Sequence, residues 1–169
     1  HEVSLIDKNH KIEILKAMQG DECFYGLGDK TGPLNKRGYE YEMWNTNNPA
    51  PQMENVKSLY KSVPFFITLR EDCVFGLFFD NHYKTYFDMG KENPAYYYVG
   101  ADRGNLDYYM IFGENMARVV EGFCALTGTH ELPPMWALGY HQSRWSYENE
   151  AELRKLASRL RMLGIPCDA

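Results

Sequence analysis

The chain has no surplus of positive charge: 18 Lys and Arg stand against 23 Asp and Glu, a net charge of −5 at pH 7. That leaves no basic footprint for nucleic acid. No apolar run approaches the roughly 20 residues of a membrane span, so no membrane partner is expected. The opening "HEVSLIDKNHKIEI" has no apolar h-region of a signal peptide. It also lacks an initiator Met, and strand-like sequence follows His1 directly, which reads as a fragment excised from a longer protein. No C-x-x-C occurs among Cys23, Cys73, Cys124 and Cys167. Their wide spacing among apolar or strand-like neighbours predicts buried free thiols, and the even count permits disulfides without arguing for them. The five His are scattered without ligand spacing, so neither metal nor cofactor is expected. "GLGDKTG" lacks the G-x-G-x-x-G spacing and the strand-to-helix context of a phosphate loop; its glycines read as permitting tight turns.

What is present is ordinary globular material with many rings. The 169 residues suffice for one sizeable core and part of a second. Aromatic residues make up 15 %, with 13 Tyr and 9 Phe, which tilts the reading toward strands and sheet cores. A carbohydrate-handling surface would also use such rings, but core packing is the commoner reason.

Residues 1–127 read mostly as short strands with turns. "KIEILK" alternates as a strand does. "FYGLGDKTGPLNKRG", with four Gly and one Pro, reads as a long loop. "SVPFFITLR", "CVFGLFFD", "KTYFDMG", "AYYYVG" and "LDYYMIFG" follow at regular spacing, the rhythm of a β-sandwich. "CVFGLFFD" is nearly all apolar and suits a strand buried on both faces, with "EDC" before it as a hairpin turn. In "ENMARVVEGFCALTG", Met116, Val119, Val120, Phe123 and Leu126 recur at helical spacing, and Gly128 ends the helix.

"THELPPM", with paired prolines, reads as a domain junction. "MWALGYHQ" beyond it is a short apolar run with the look of a strand. "NEAELRKLASRLRMLG" is an amphipathic helix with Leu153, Leu156, Leu160 and Leu163 on one face. Asn149 caps it, Glu152 follows at the capping-box position and Gly164 closes it. "IPCDA" starts another strand. Strand, helix, strand is a βαβ beginning, and in such folds active-site residues gather where strands end. The predicted class is therefore mainly β: a β-sandwich over 1–131, interrupted by one helix, then a first β/α unit over 132–169. On that layout "SRWSY" lies at the carboxyl end of the unit's first strand.

Four ordered stretches are specific. "FYGLGDKTGPLNKRG", "MWNTNNPAP", "LPPMWALGYHQSRWSY" and "GIPCDA" resemble, in this order, glycoside hydrolase family 31. The likeness is strongest over 24–49 and 132–169, and nearest to bacterial α-glucosidases. The resemblance implies a galactose mutarotase-like sandwich over 1–131 that lacks its first strands, against a (β/α)8 TIM barrel of which 132–169 is the truncated first β/α unit. It implies a cytoplasmic bacterial enzyme that acts on α-linked oligosaccharides, with homo-oligomers left open. It also implies that both catalytic Asp residues lie beyond Ala169. By the same resemblance Trp145 matches an aromatic residue lining the sugar pocket. Asn47 stands where the family often has Asp on a loop over the barrel mouth, and Asn48 is the other candidate for that alignment.

Each assignment has a structural counterpart. Trp145 could be packing at a domain interface, and Asn47 and Asn48 could be turn residues in "NTNNP". Arg144 reads as pairing with a carboxylate across strands, and Trp44 and Trp136 as packing. Asp29, Asp80, Asp88 and Asp168 match no catalytic position and read as loop or structural residues. The expected function is the N-terminal part of an α-glucosidase, the fragment serving as pocket wall and packing. A non-catalytic carbohydrate-binding module, a related α-xylosidase specificity and a mutarotase-like enzyme are the other readings. The last would need its own acid and base, and no convincing His and Glu pair is present.

Overall fold

The computed structural model describes residues 12–48, 53, 56–167 and 169. Residues 1–11, 49–52, 54, 55 and Asp168 lie outside the described residues. Two compact units result, His1–Gly128 and Thr129–Ala169.

Among the described residues the first unit carries eight strands: β1 (Ile12–Ala17), β2 (Cys23–Gly28), β3 (Glu40–Met43), β4 (Ser62–Leu69), β5 (Val74–Phe79), β6 (Thr85–Asp88), β7 (Tyr96–Ala101) and β8 (Tyr108–Gly113). They form two antiparallel sheets, ordered β1-β7-β6-β3 and β2-β4-β5-β8. Alternation along each strand sends one set of side chains inward. Ile14, Tyr41, Met43, Phe87, Tyr97 and Val99 from one sheet meet Phe24, Leu27, Phe66, Leu77 and Phe79 from the other. Phe66 sits edge-to-face with Phe24, Phe87 and Tyr97 at 5.9, 6.1 and 5.5 Å, so the high aromatic content is largely core.

The second sheet is apolar on its outer face as well. There α1 (Met116–Thr127) covers it, with Val119 fully buried among Phe65, Ile67 and Val74. Phe123 stacks on Phe65 at 4.0 Å and meets the edge of Phe78 at 5.3 Å. Gly76 makes this approach feasible. A Cβ there would lie 2.5 Å from a Phe65 ring carbon and 2.8 Å from Val119 Cγ1. "CVFGLFFD" is thus apolar because β5 lies between two cores. Asn115 caps α1 by accepting from the Arg118 N–H at 3.1 Å, and the Gly128 N–H donates to the Cys124 carbonyl.

One charged pair is built into the core margin. Glu22 is fully buried, 2.9 Å from Lys16 Nζ, and also accepts from the Gln19 N–H. Arg37 donates to the Gln19 and Glu22 carbonyls at 2.8 and 2.7 Å. The Lys16 ammonium lies 5.3 Å from the Tyr97 ring centroid. These bonds fix the β1–β2 turn.

The structure differs from the sequence expectations in four places. Part of the expected long loop is β2. Its pattern is hidden because Gly26, Leu27 and Gly28 have positive φ where the register with β4 shifts. β3 is an added strand, four residues long, with Tyr41 and Met43 inward. The four cysteines are free, but none is buried: Cys73 is exposed in the β4–β5 hairpin turn, and the others are partly covered. The expected strand in "MWALGYHQ" is a 3-10 turn, Met135–Leu138.

In the second unit, the Gln142 N–H donates to the Ala169 carbonyl at 2.7 Å and the Ala169 N–H to the Tyr140 carbonyl at 3.4 Å. This is the parallel bonding pattern, limited to one bridge. α2 (Glu150–Met162) follows the expected limits. Asn149 accepts from the Glu152 N–H at 3.0 Å, while the Glu152 carboxylate accepts from the Glu148 N–H, one residue beyond the usual capping-box partner. At the other end Gly164, at φ +65, donates to the Arg161 carbonyl and Ile165 to the Leu160 carbonyl, a Schellman closure. Among the described residues no helix is long and apolar enough to cross a membrane.

The third layer makes a prediction. Phe123→Ala removes one ring from the α1 contact, and since that ring is only half-buried the loss should be about 2–3 kcal/mol. Urea denaturation of both forms checks this. An unchanged midpoint would mean that α1 adds nothing to the cooperative unit.

Candidate functional site

Trp145 sits in the loop between the 3-10 turn and α2. Arg144 shapes that loop. Its Nε donates to the Ser146 carbonyl at 2.9 Å, its Nη2 reaches Glu152 Oε1 at 2.9 Å, and its guanidinium lies over the Tyr147 ring at 5.0 Å. Ser146 takes φ +69, a left-handed turn that a non-glycine residue adopts only when its surroundings hold it. Gln142 adds bonds to the Ser143 carbonyl and to Tyr147 OH. With both neighbours anchored, the Trp145 side chain projects outward and is 98 % exposed. Arg144 therefore does pair with a carboxylate, but on the first turn of α2 rather than across strands. Trp136, expected to pack, is exposed, with its ring parallel to that of His141 at 6.4 Å.

Asn47 belongs to the other unit, in the segment after β3. That segment starts from a fixed base. The Thr46 and Ser58 hydroxyls both donate to the Trp44 carbonyl, and the Ser62 N–H donates to Asn45 Oδ1 at 3.0 Å. Asn47 is exposed. Asn48 is half-buried and lines a hollow of about 300 Å³ with Asp29, Lys30, Thr31, Leu59 and Tyr60. Asn47 and Trp145 thus lie in separate units, each presented on an anchored loop. Trp44 was expected to pack. It is 57 % exposed and walls a second hollow with Tyr83. The "MWNTNNP" stretch signalled this, because a Trp directly before four turn residues has little core to enter.

Of the carboxylates named from the sequence, Asp88 does structural work. Asp88 is buried and accepts from the Gly90, Lys91 and Glu92 N–H groups, which closes the turn after β6. Glu40 bridges Lys57 at 2.6 Å and also Lys91. Burial raises its carboxyl, but the two ammonium groups outweigh that and hold it below its ordinary value. Among the described residues no cluster of three or more His, Cys, Asp or Glu could hold a metal ion.

Residues 1–88 match the glycosyl hydrolase 31 N-terminal galactose mutarotase-like domain, and residues 130–169 match the glycosyl hydrolases family 31 TIM-barrel domain. The chain belongs to glycosyl hydrolase family 31. It is 46 % identical over 153 residues to alpha-glucosidase 2 of Bacillus thermoamyloliquefaciens, covering 90 % of this chain and 19 % of that protein. It is 30 % identical over 163 residues to an alpha-glucosidase of Saccharolobus solfataricus, covering 96 % and 23 %. Among solved structures, a family 31 dextranase from Flavobacterium johnsoniae complexed with isomaltotriose matches with a TM-score of 0.85 at 42 % identity, covering 96 % of this chain and 20 % of that one. The chain spans about a fifth of the length of these relatives.

Lys30, which the sequence did not single out, yields a pH prediction. Its Nζ is buried without a partner, and burial pushes the ammonium down to about 8 against an opposing pull from Asp29. The unfolded lysine keeps its ordinary value near 10.5. Between these values the unfolded chain binds a proton that the folded chain has released, so stability rises with pH through that window. Lys30→Met should therefore be more stable at pH 7 by about 1 kcal/mol, after discounting for partial exposure. The gain should shrink between pH 8 and 10.5. Denaturant titrations at both ends check it, and an equal gain at pH 7 and above pH 10 would contradict the buried-charge account.

Proposed function

We propose that the protein carrying this sequence hydrolyses terminal α-linked glucose from oligosaccharides with retention of configuration. In this reading residues 1–131 are its sandwich domain and 132–169 open its catalytic barrel. The observation that carries the reading is Trp145: a large ring, fully uncovered, on a loop held by Arg144 and Glu152, in a chain of this family. The alpha-glucosidase relatives support a glucose unit as the group this ring meets.

In a retaining reaction one carboxylate attacks the anomeric carbon and a second, about 5–5.5 Å away, protonates the leaving oxygen. We assign neither group to this chain. Its part is positioning. The Trp145 ring lies against the apolar C–H face of the pyranose and excludes water from it. The Asn47 amide donates to or accepts from a sugar hydroxyl without adding charge. Each is a positioning contact, and neither moves a proton.

Two outcomes follow. The purified 169-residue chain should release no glucose from maltose or a nitrophenyl α-glucoside; turnover that survives repurification would overturn the assignment of the acid pair elsewhere. In the full-length protein, Trp145→Ala should lower kcat/KM by about 1–3 kcal/mol, the scale of a lost pocket contact. Trp145→Tyr should cost less, and Asn47→Ala should act mainly on KM. Kinetics on maltose and isomaltose with parallel thermal melts read this. A Trp145→Ala protein that melts several degrees lower but keeps wild-type kinetics would make the residue packing only.

A further inference from the structure

The sandwich has a hollow of about 420 Å³ at the end where β3 stops and β4 and β6 begin. That volume falls within the roughly 300–1,000 Å³ of small-ligand sites. Two exposed rings wall it, Trp44 at 57 % and Tyr83 at 51 % exposure. Both are held in place from behind. The Trp44 carbonyl accepts from the Thr46 and Ser58 hydroxyls. The turn carrying Tyr83 is tied by Asn81, whose Nδ2 donates to the Arg103 and Asn105 carbonyls at 2.9 and 3.1 Å and whose Oδ1 accepts the Tyr83 N–H at 2.8 Å. The rings are thus presented by pinned backbone, not by loose loops.

The polar lining has capacity left over. The Ser62 and Thr85 hydroxyls are buried in the wall and have no partner. A buried hydroxyl without a bond is costly, so such atoms point to a missing guest. Asn45 and His82 complete the polar side. Among the described residues no Asp, Glu, Lys or Arg lines the hollow. Exposed rings, amides and hydroxyls with no fixed charge suit a ligand that is neutral, rich in hydroxyls and flat on an apolar face. An anion would find no cation here, and an apolar ligand would strand the hydroxyls.

We propose that this hollow is a carbohydrate-binding site of the sandwich itself, which takes one or two pyranose units of a neutral α-glucan between Trp44 and Tyr83. The choice of glucan rests on the function proposed above; the site rests on its own lining.

The test is calorimetric titration of the full 169-residue chain with isomaltotriose and maltotriose, using myo-inositol as a comparison polyol, with amide NMR shifts to locate binding. Saturable millimolar binding of a glucan is expected, with shifts centred on 44–46 and 81–85. Trp44→Ala and Tyr83→Ala should each weaken it about tenfold, and Trp44→Phe should retain part of it. Thermal melts monitor folding, and Tyr83, in an exposed turn, keeps the test valid if Trp44→Ala does not fold. No saturable glucan binding overturns the proposal. So does binding left intact by both ring deletions, binding mapped to 143–147 alone, or inositol binding as tightly as the glucans. Glucose release by the full-length protein without binding here would overturn the hollow and leave the enzymatic reading standing. Binding here without hydrolysis by the full-length protein would do the reverse.

Discussion

Burial of one sheet on both faces is the constraint on which the first unit depends. β4 and β5 alternate apolar residues toward two sides, so neither side can be left in water without losing about 25 cal/mol for each Å² exposed. The facing sheet covers Phe66, Leu77 and Phe79. α1 covers Phe65, Ile67 and Val74. Gly76 follows from the same constraint, because only a residue without a side chain lets the Phe65 ring and Val119 close over the middle of β5.

Rigid layers of this kind leave the loops to carry specificity, and here the loops are anchored by polar groups. Asn81 ties one turn to 103 and 105, hydroxyls hold the Trp44 carbonyl, and Arg144 holds the turn around Trp145. Each anchor leaves an aromatic ring uncovered. A ring presented on fixed backbone loses little freedom when it meets a ligand, which favours binding through pre-organisation. The carboxylates contribute differently. Asp88 and Glu22 are fully engaged with backbone N–H groups and a lysine, which removes them from chemistry and assigns them to turns.

Much of the fold was legible in the sequence because its signals are local. The regular spacing of "SVPFFITLR" through "LDYYMIFG" marked five strands, and the Asn149 cap and Gly164 stop bounded α2. The failures share a cause in tertiary context. β2 looked like a loop because two of its glycines serve a bulge against β4. "MWALGYHQ" looked like a strand because it is apolar, but its first half closes as a 3-10 turn and only Tyr140–Gln142 bond to Ala169 in the parallel pattern. The cysteines looked buried from their neighbours, yet Cys73 falls at a hairpin tip.

The sequence by itself determined the family and the mainly-β class, because four ordered motifs and period-2 alternation are properties of the chain alone. Trp145 and Asn47 were singled out in the same way, by matching motifs. Tertiary structure alone decided that α1 lies on the outer face of the second sheet, that Glu22 is buried with Lys16, and that Trp44 and Tyr83, 39 residues apart in number (83 − 44), wall one hollow. Antiparallel pairing joins residues distant along the chain, and no local pattern encodes which loops then share an end of the sandwich.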